Sequence, residues 1–315
     1  MTFPTIIAAP MAGGPSTPAL VRAVARAGGL GFLPSGNISA DQLARDMADV
    51  GDVEYGVNFF FPQPFHPAVG DVEAVRGRLE PFLDEVPEAV TPDFSNQFEE
   101  KWEVVLANPP KVVSTSFGCF TPEQIDEAHA AGIEAWVSVT SVEEAEAARG
   151  ADALIVQGYE AGGHRLTWDA AAEPNHLSVE ELLPQVAERV SVPLIAAGGV
   201  RTAEDVKRLV AAGAAAVSCG SVFLLSDEAG TSEFNRSLLL KGGATVSSRA
   251  FSGRYARGLR TELTDALGDL PPIYPYLSPL TKSLRGTEAG AYCLTGDTRG
   301  IPTGSAEDIV YSLSM

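Results

Sequence analysis

Short apolar runs alternate with amphipathic segments along most of this chain. Eight strand-like runs are predicted near residues 5–9, 30–33, 53–59, 111–115, 134–139, 152–157, 193–198 and 215–219. The run Leu154-Ile155-Val156 is apolar at every position, which is typical of a parallel strand that is buried on both faces. The alternation therefore predicts repeated strand–helix units around a parallel sheet.

The segments between the runs carry the start and stop signals of helices. Thr121 and Thr202 are predicted N-cap residues, and Pro122 occupies a first helical turn. An Ala-Gly pair ends several of these segments, at 27–28, 131–132 and 212–213. The chain has eight such strand–helix units and no separate all-helical half. This pattern predicts an α/β fold of the (β/α)8 TIM-barrel type. The alternative, an open doubly wound sheet, lacks its usual G-x-G-x-x-G loop after the first strand.

Two stretches interrupt this rhythm. Residues 58–110 are rich in Phe and Pro, and residues 226–302 fit no further strand–helix unit. Long insertions after barrel strands usually cover the active site. We therefore predict a barrel formed by residues 1–225 together with 303–315, and a smaller, mostly helical region on the substrate side at 226–302.

Charge and cysteine content narrow the possible partners. The chain has 22 Lys and Arg against 41 Asp and Glu, a net charge of −19, which disfavours nucleic acid and anionic membranes. Three scattered cysteines are too few for a disulfide framework or a zinc site, so we expect reduced thiols and no metal. The first residues resemble no signal peptide, and no apolar run approaches the roughly 20 residues that span a bilayer. We expect a cytoplasmic protein, and a homodimer is one assembly left open.

Glycine and polar residues concentrate just after the predicted strands. In a TIM barrel the carboxyl ends of the strands form the catalytic face, and the loops after strands seven and eight commonly bind phosphate. Gly198-Gly199 and Gly220-Ser221 occupy those two loops. Glycine lets backbone amides approach phosphate oxygens, although each pair can also serve only as a tight turn.

Six segments occur in the order seen in one enzyme family. They are Ala9-Pro10-Met11-Ala12-Gly13-Gly14, Ala27 to Phe32, Gly56-Val57-Asn58-Phe59-Phe60, Gln157-Gly158-Tyr159-Glu160-Ala161-Gly162-Gly163-His164, Ala196 to Val200, and Gly220 to Leu224. On these motifs the chain resembles the nitronate monooxygenases, formerly called 2-nitropropane dioxygenases. The resemblance covers most of residues 5–260, and the segment that ends at His164 is its most specific part.

The resemblance implies a flavoenzyme with non-covalent FMN that oxidises a small nitronate or nitroalkane with molecular oxygen to a carbonyl compound and nitrite. His164 would be the catalytic residue. The implied cofactor-binding residues are Pro10, Met11 and Ala12 at the flavin ring, Asn58 and Gln157 at the ring or ribityl chain, and Gly162, Gly163, Gly198, Gly199, Ser218, Cys219, Gly220 and Ser221 around the phosphate. The family usually has Gln-Met-Gly-Thr where this chain has residues 218–221, but backbone amides dominate phosphate binding.

His164 also stands out on its own chemistry. Of the four histidines, it alone follows a predicted buried strand within a glycine-rich turn. An imidazole with its ordinary pKa of about 6.5 suits removal of a proton from a nitroalkane or a hydrogen bond to a nitronate. A structural role is the alternative. We expect His129 on the solvent side of a helix, and His66 and His176 lie in loops.

Other candidate residues are open to two interpretations. Arg249, Arg254, Arg257 and Arg260 form a basic cluster that either steers an anionic substrate or makes structural ion pairs. Glu160 is a conceivable acid–base partner for His164, but its position in a turn does not fix its direction.

Two other function classes compete with nitronate oxidation. The first is another FMN oxidoreductase on the same scaffold, such as an enoyl-acyl-carrier-protein reductase or an NAD(P)H:quinone reductase, which consumes a reduced nicotinamide. Gln157 favours nitronate oxidation, because these reductases tend to have an acid there. The second is a barrel that binds flavin or another phosphorylated ligand without redox turnover, and His164 within the flavin motif disfavours it.

Overall fold

A computed structural model describes residues 4–62, 64–89 and 91–315. Eight parallel strands form a closed barrel, in which the last strand pairs with the first through Ser218 and Ile7. These strands are β1 (Ile6–Ala8), β2 (Leu30–Pro34), β3 (Tyr55–Phe60), β4 (Val112–Ser116), β5 (Glu134–Val139), β6 (Ala153–Gln157), β8 (Leu194–Ala197) and β9 (Ala216–Cys219). The predicted TIM barrel and its eight strands are confirmed; β7 (Gly163–His164) lies outside the barrel.

Helices surround the barrel and extend into the two interrupting stretches. They are α1 (Pro18–Arg26), α2 (Ala40–Val50), α3 (Val69–Leu79), α4 (Phe98–Ala107), α5 (Pro122–Ala130), α6 (Val142–Ala147), α7 (Val179–Ala187), α8 (Ala203–Ala211), α9 (Glu233–Lys241), α10 (Glu262–Ala266), α11 (Leu277–Leu280) and α12 (Ala306–Ser314). Thr121 and Thr202 begin α5 and α8 with capping boxes, as their positions predict. Within the described residues, none of these helices combines the length and the apolar character needed to cross a bilayer.

The barrel interior changes from apolar to polar along the strands. Inward positions near the amino ends are filled by large side chains, including Phe32 and Trp136, whose ring centroids are 5.8 Å apart. A Cβ on Gly56 would clash with the Phe32 ring, so this strand position requires glycine. Because side chains alternate between the two faces of a strand, the next inward layer is polar. It contains Asn58, Ser114, Ser138, Gln157 and Ser218.

The two interrupting stretches pack against each other and form a second hydrophobic core. Val72, Val75 and Leu79 of α3 meet buried side chains of the later stretch, among them Leu263 and Leu277. This core is separate from the one that lies between the barrel and its helices. The division of the chain into two domains stays a prediction, and the later stretch shares its apolar interior with α3 of the earlier one.

The stretch at 226–302 also contributes strands, beyond the mostly helical content that we expected. β10 (Thr245–Ser248) and β11 (Ala256–Leu259) form a three-stranded antiparallel sheet with β7. Within it, His164 pairs with Ala256. This sheet therefore connects the predicted catalytic histidine to the region after the last barrel strand. α12 then returns to pack against α1 and α8 on the barrel wall.

Candidate active site

A cavity of about 930 Å³ opens at the carboxyl ends of the barrel strands. Every residue that the sequence predicted for the site lies in its wall: Pro10, Met11, Ala12, Asn58, Gln157, Gly162, Gly163, His164, Gly198, Gly199, Ser218, Cys219, Gly220 and Ser221. They come from β1, β3, β6, β8 and β9 and the loops after them, because parallel barrel strands all end on one face. The structure thus brings the whole predicted set together, while the role of each residue remains a prediction.

The loops after β8 and β9 form a cradle of backbone amides. Gly198 and Gly199 have φ angles of +119° and +69°, a conformation that L side chains rarely adopt. Within the described residues, the N–H groups of Gly199, Gly220 and Ser221 make no hydrogen bond to the protein. The Ser221 hydroxyl accepts a 3.0 Å hydrogen bond from the Gly296 N–H group, which leaves its own proton available. Unpaired N–H donors and a hydroxyl are suited to an anionic phosphate.

The loop after β1 forms another part of the wall. Met11 donates its N–H group to Ser16 Oγ at 3.0 Å, and its carbonyl accepts from the Ser16 N–H group at 3.2 Å. A Cβ on Gly220 would lie 3.4 Å from Met11 Sδ, so this loop is adjacent to the cradle. The segment from Pro10 to Ala12, which was predicted to contact the flavin ring, is therefore held by hydrogen bonds within its own loop. It faces the same cavity as the predicted phosphate site.

Asn58 and Gln157 are held by hydrogen bonds within the protein. The Asn58 Nδ2 group donates to Ser114 Oγ at 2.9 Å, and its Oδ1 accepts from Ser116 Oγ at 3.2 Å. Gln157 Nε2 donates to the His164 carbonyl at 3.0 Å, and Gln157 Oε1 accepts from the Leu166 N–H group at the same distance. Gln157 therefore fixes the turn that carries the histidine.

Cys219 differs from its neighbour Ser218 in the direction of its side chain. Ser218 is on the inward face of β9, whereas the Cys219 thiol points outward and lies 3.6 Å from the Ile7 carbonyl. Burial raises the pKa of Cys219 to about 12, so the thiol stays protonated. Cys219 can therefore contribute to cofactor binding only through its main-chain atoms.

His164 has a polar partner and an aromatic enclosure. Its Nε2 lies 2.7 Å from Ser252 Oγ, and the edges of Phe60, Phe117 and Tyr274 face its ring at centroid distances of 6.3, 5.7 and 6.1 Å. Burial, together with the positive charges of Arg254 and Arg285, lowers the pKa of His164 to about 3. The imidazole is therefore neutral at physiological pH.

Several cavity residues could not be found from the sequence. Tyr274, Lys282, Arg285 and Tyr292 all line the cavity, and Ser252 hydrogen-bonds the histidine. All five belong to the stretch after β9, where no periodic pattern assigns a side chain to a face. The sequence indicated only the stretch as a whole, since residues 226–302 were predicted to form a region on the substrate side.

The basic cluster divides between the two roles considered for it. Arg249 pairs with Glu173 at 3.0 Å and Arg260 pairs with Asp265 at 2.6 Å, which are structural ion pairs. Arg257 donates to the Tyr159 carbonyl at 3.2 Å. Arg254 is buried with its guanidinium 4.1 Å from the Phe117 ring centroid, so it acts on the site through its charge beside His164.

Glu160 does not act with His164. Its Oε1 accepts from the Val179 N–H group at 3.0 Å, and its carboxylate lies beside Gly199. Within the described residues, its Oε2 is buried without a hydrogen-bond partner.

The other three histidines lie outside this constellation. Across residues 4–62, 64–89 and 91–315, none of His66, His129 and His176 belongs to the cavity wall. His129 is exposed on α5 and its Nε2 lies 2.9 Å from Asp152 Oδ2, as the predicted solvent-side position requires. His176 stacks on Tyr159 at a centroid distance of 4.4 Å. Among the described residues, no group of three or more His, Cys, Asp or Glu side chains is arranged to hold a metal ion.

The cavity fits the cofactor that the motifs imply. Its volume lies within the range of roughly 300–1,000 Å³ that is typical of small-molecule and cofactor sites. The cradle offers N–H donors with no protein partner, and a Cβ on Gly162 would clash with the main-chain nitrogen of Gly296 where the two segments approach closely. A flavin phosphate held by the cradle would leave the ring to the β1 loop and the surroundings of His164.

Comparisons with known proteins identify the family to which the chain is similar. The family model for nitronate monooxygenase matches residues 1–299. A protein of Staphylococcus aureus (strain Newman), described as a probable nitronate monooxygenase, is 33% identical over 303 residues, covering 90% of this chain and 84% of that protein. A similarly described protein of Staphylococcus saprophyticus is 33% identical over 298 residues, covering 89% of this chain and 83% of that protein.

Solved structures show the same fold. Nitroalkane oxidase from Streptomyces ansochromogenes has a TM-score of 0.92 and 34% sequence identity, covering 99% of this chain and 95% of that one. FabK from Thermotoga maritima has a TM-score of 0.73 at 22% identity, covering 99% of this chain and 92% of that one. At that identity, the likeness to FabK concerns the fold alone.

Proposed function

The chain belongs to the nitronate monooxygenase family and is an oxidoreductase, and we propose that it oxidises nitronates with molecular oxygen, using non-covalent FMN. The products would be a carbonyl compound and nitrite. The observation that carries this proposal is the meeting of the amide cradle, the β1 loop and a neutral imidazole in one cavity. Flavin use is general in the family; the choice of FMN follows the family resemblance, and the amide cradle, suited to a phosphate, supports it.

The chain's own residues bind and orient the reactants. The N–H groups of Gly199, Gly220 and Ser221 would hold the phosphate, and FMN, when bound, supplies the redox chemistry. His164 would contact the substrate through its neutral ring, which is hydrogen-bonded to Ser252, while the Gln157 amide holds the main-chain carbonyl of His164. Phe60, Phe117 and Tyr274 surround this ring with aromatic side chains, which lowers the polarity of this part of the cavity.

The electrostatics of His164 favour a preformed nitronate over a neutral nitroalkane. A general base works best when its pKa lies near the working pH, whereas the pKa of His164 is lowered to about 3. Removal of a proton from a nitroalkane would create an imidazolium beside the charges of Arg254 and Arg285. A nitronate is already deprotonated and needs no such step. We therefore propose nitronates as the preferred substrates.

The test of this proposal is nitrite release in air. The purified protein is expected to be yellow and to release FMN on denaturation. Propionate 3-nitronate or a small alkyl nitronate should cause oxygen consumption and nitrite formation without any nicotinamide. Flavin bleaching by NADH or NADPH without a response to nitronates would instead assign the protein to the reductases on this scaffold.

A colourless protein that cannot be reconstituted with FMN would contradict flavin chemistry altogether. The cytoplasmic location and a homodimeric assembly stay predictions; fractionation of the source cells and light scattering of the purified protein test them.

A further inference from the structure

Among the described residues, one arginine in the cavity wall, Arg285, has no protein acceptor for its hydrogen bonds. Arg285 lies in the turn Lys282–Gly286, and its guanidinium carbon is 4.2 Å from the ring centroid of Tyr292. Both residues line the cavity. In the described part of the chain, Arg285 Nε is buried without a hydrogen-bond partner, and no carboxylate forms an ion pair with this side chain.

Other buried or half-buried arginines have protein acceptors for at least part of their guanidinium groups. Arg236 donates to the carbonyl oxygens of Leu225, Ser226, Ala229 and Thr231. Arg165 donates to the carbonyls of Gln157 and Thr140, and Arg249 pairs with Glu173. The chain carries 41 acidic residues, so carboxylates are abundant. A half-buried guanidinium without one points to an acceptor that comes from outside the protein.

Arg285 and His164 line the same cavity and interact electrostatically. The charge of Arg285 is one of the causes that lower the pKa of His164, so the two side chains are close enough to interact electrostatically. The Tyr292 ring contacts the guanidinium through a cation–π interaction, which favours this position of the side chain. The N–H groups of Arg285 without a protein acceptor therefore belong to a side chain that is already held at the cavity wall.

We propose that Arg285 binds the two oxygens of the substrate's nitronate group. The guanidinium presents parallel N–H donors in a rigid planar fork, and a nitronate is a planar anion with two oxygens on one nitrogen. The pairing also explains how a protein with a net charge of −19 attracts an anionic substrate into this cavity. This inference rests on the proposed function and names the group that selects the charged substrate form.

Arg285→Met in the FMN-loaded enzyme tests the proposal. The KM for a small alkyl nitronate is expected to rise roughly 10- to 100-fold, because a charge-assisted pair of hydrogen bonds is lost. The KM of Arg285→Lys should lie between those of the wild type and Arg285→Met, because an ammonium group keeps the charge but cannot make two parallel hydrogen bonds. Arg45→Met, on the exposed surface of α2, is the matched control and should leave KM unchanged.

Two further arms separate a specific contact from other effects. Lys282 lines the same cavity but is exposed, so Lys282→Met should raise KM less than about fivefold. If Lys282→Met and Arg285→Met raise KM equally, the proposal is overturned, because the substrate would then respond to the overall positive charge of the cavity wall and not to Arg285 in particular. A loss confined to propionate 3-nitronate, with alkyl nitronates unaffected, would also overturn it, because Arg285 would then bind the carboxylate tail.

Binding of nitrate keeps this test independent of turnover. Nitrate is a planar, unreactive oxyanion, and calorimetry measures its affinity whether or not any nitronate is oxidised. Wild-type protein is expected to bind it at least roughly tenfold more tightly than Arg285→Met. If the wild type and Arg285→Met bind nitrate equally well, or if neither binds it, the role of Arg285 is overturned. If the wild type binds nitrate more tightly but no nitronate gives nitrite, only the proposed function is wrong.

Discussion

The neutral ring of His164 results from three features that act in one direction. Burial removes water from the imidazole, and the guanidinium groups of Arg254 and Arg285 add two positive charges nearby. Each disfavours the protonated form. Protonation of His164 should therefore not limit nitronate turnover between about pH 5 and pH 8, and its neutral form is lost as the pH falls through about 3.

Loss of one of these charges should shift this behaviour. In Arg285→Met the pKa of His164 rises, so the pH below which activity falls moves upward. The pH dependence of kcat/KM for a nitronate, measured on wild type and variant, checks the direction. An acid limb that stays in place would mean that Arg285 does not influence His164.

Replacement of the imidazole itself tests its part in the chemistry. His164→Asn keeps a polar side chain and should retain FMN, yet turnover of a neutral nitroalkane, already slow in the wild type because the imidazole is a weak base, should fall further by up to about 10²-fold. The loss with a preformed nitronate should be smaller, because no proton is removed. His129→Asn on exposed α5 is the control. Undiminished turnover of both substrates would remove His164 from the mechanism.

Residues of the site differ in how far the sequence could predict them. Gly198 and Gly199 were singled out because they directly follow an apolar strand, and His164 because it lies in the glycine-rich turn after one; strand ends in a TIM barrel share one face. Arg285 and Ser252 could not be identified, because no strand or helix period governs the segments in which they lie. Their contacts with Tyr292 and His164 depend on tertiary packing alone.

At the scale of elements, the loop after β6 and the segment around Gly296 approach so closely that a side chain cannot be added. A Cβ on Gly162 would clash with the main-chain nitrogen of Gly296, which is itself hydrogen-bonded to Ser221. Gly162→Ala should therefore displace the cradle and weaken FMN binding by about tenfold or more, measured as quenching of flavin fluorescence. Gly77→Ala, where an added Cβ on α3 would meet no atom, should not. Equal FMN affinity in both variants would contradict the role assigned to this contact.

The barrel strands and the strands of the small sheet also differed in predictability. β4 and β6 are buried at every position, so their continuous apolar or small-residue runs are distinctive. β10 and β11 are only four residues each, and β10 is mostly half-buried. The pairing of β11 with the two-residue β7 joins Ala256 to His164, residues that lie far apart in the chain, which no local pattern encodes.

At the scale of the whole molecule, the fold class followed from the repeated strand–helix alternation, but the second core did not. That core joins α3 to α10 and α11, whose residues are nearly 200 positions apart in the chain. Each contributes only a few apolar positions, too few to indicate a partner. The consequence is that the segment carrying Tyr274 and Arg285 depends on a distant helix for its packing.

This dependence can be measured through Leu277 of α11, which is fully buried in the second core. Leu277→Ala should lower the free energy of unfolding by about 2–5 kcal/mol, from lost burial and the cavity left behind. Leu240→Ala, at a side chain that is 67% exposed, should change it by less than about 0.5 kcal/mol.

Denaturant titrations followed by flavin fluorescence and by far-UV circular dichroism distinguish two outcomes. If the region 226–302 unfolds as the separate unit that we predicted, the flavin signal of Leu277→Ala is lost at a lower denaturant concentration than the helical signal. Coincident transitions in this variant would contradict that division, because the second core would then unfold together with the barrel.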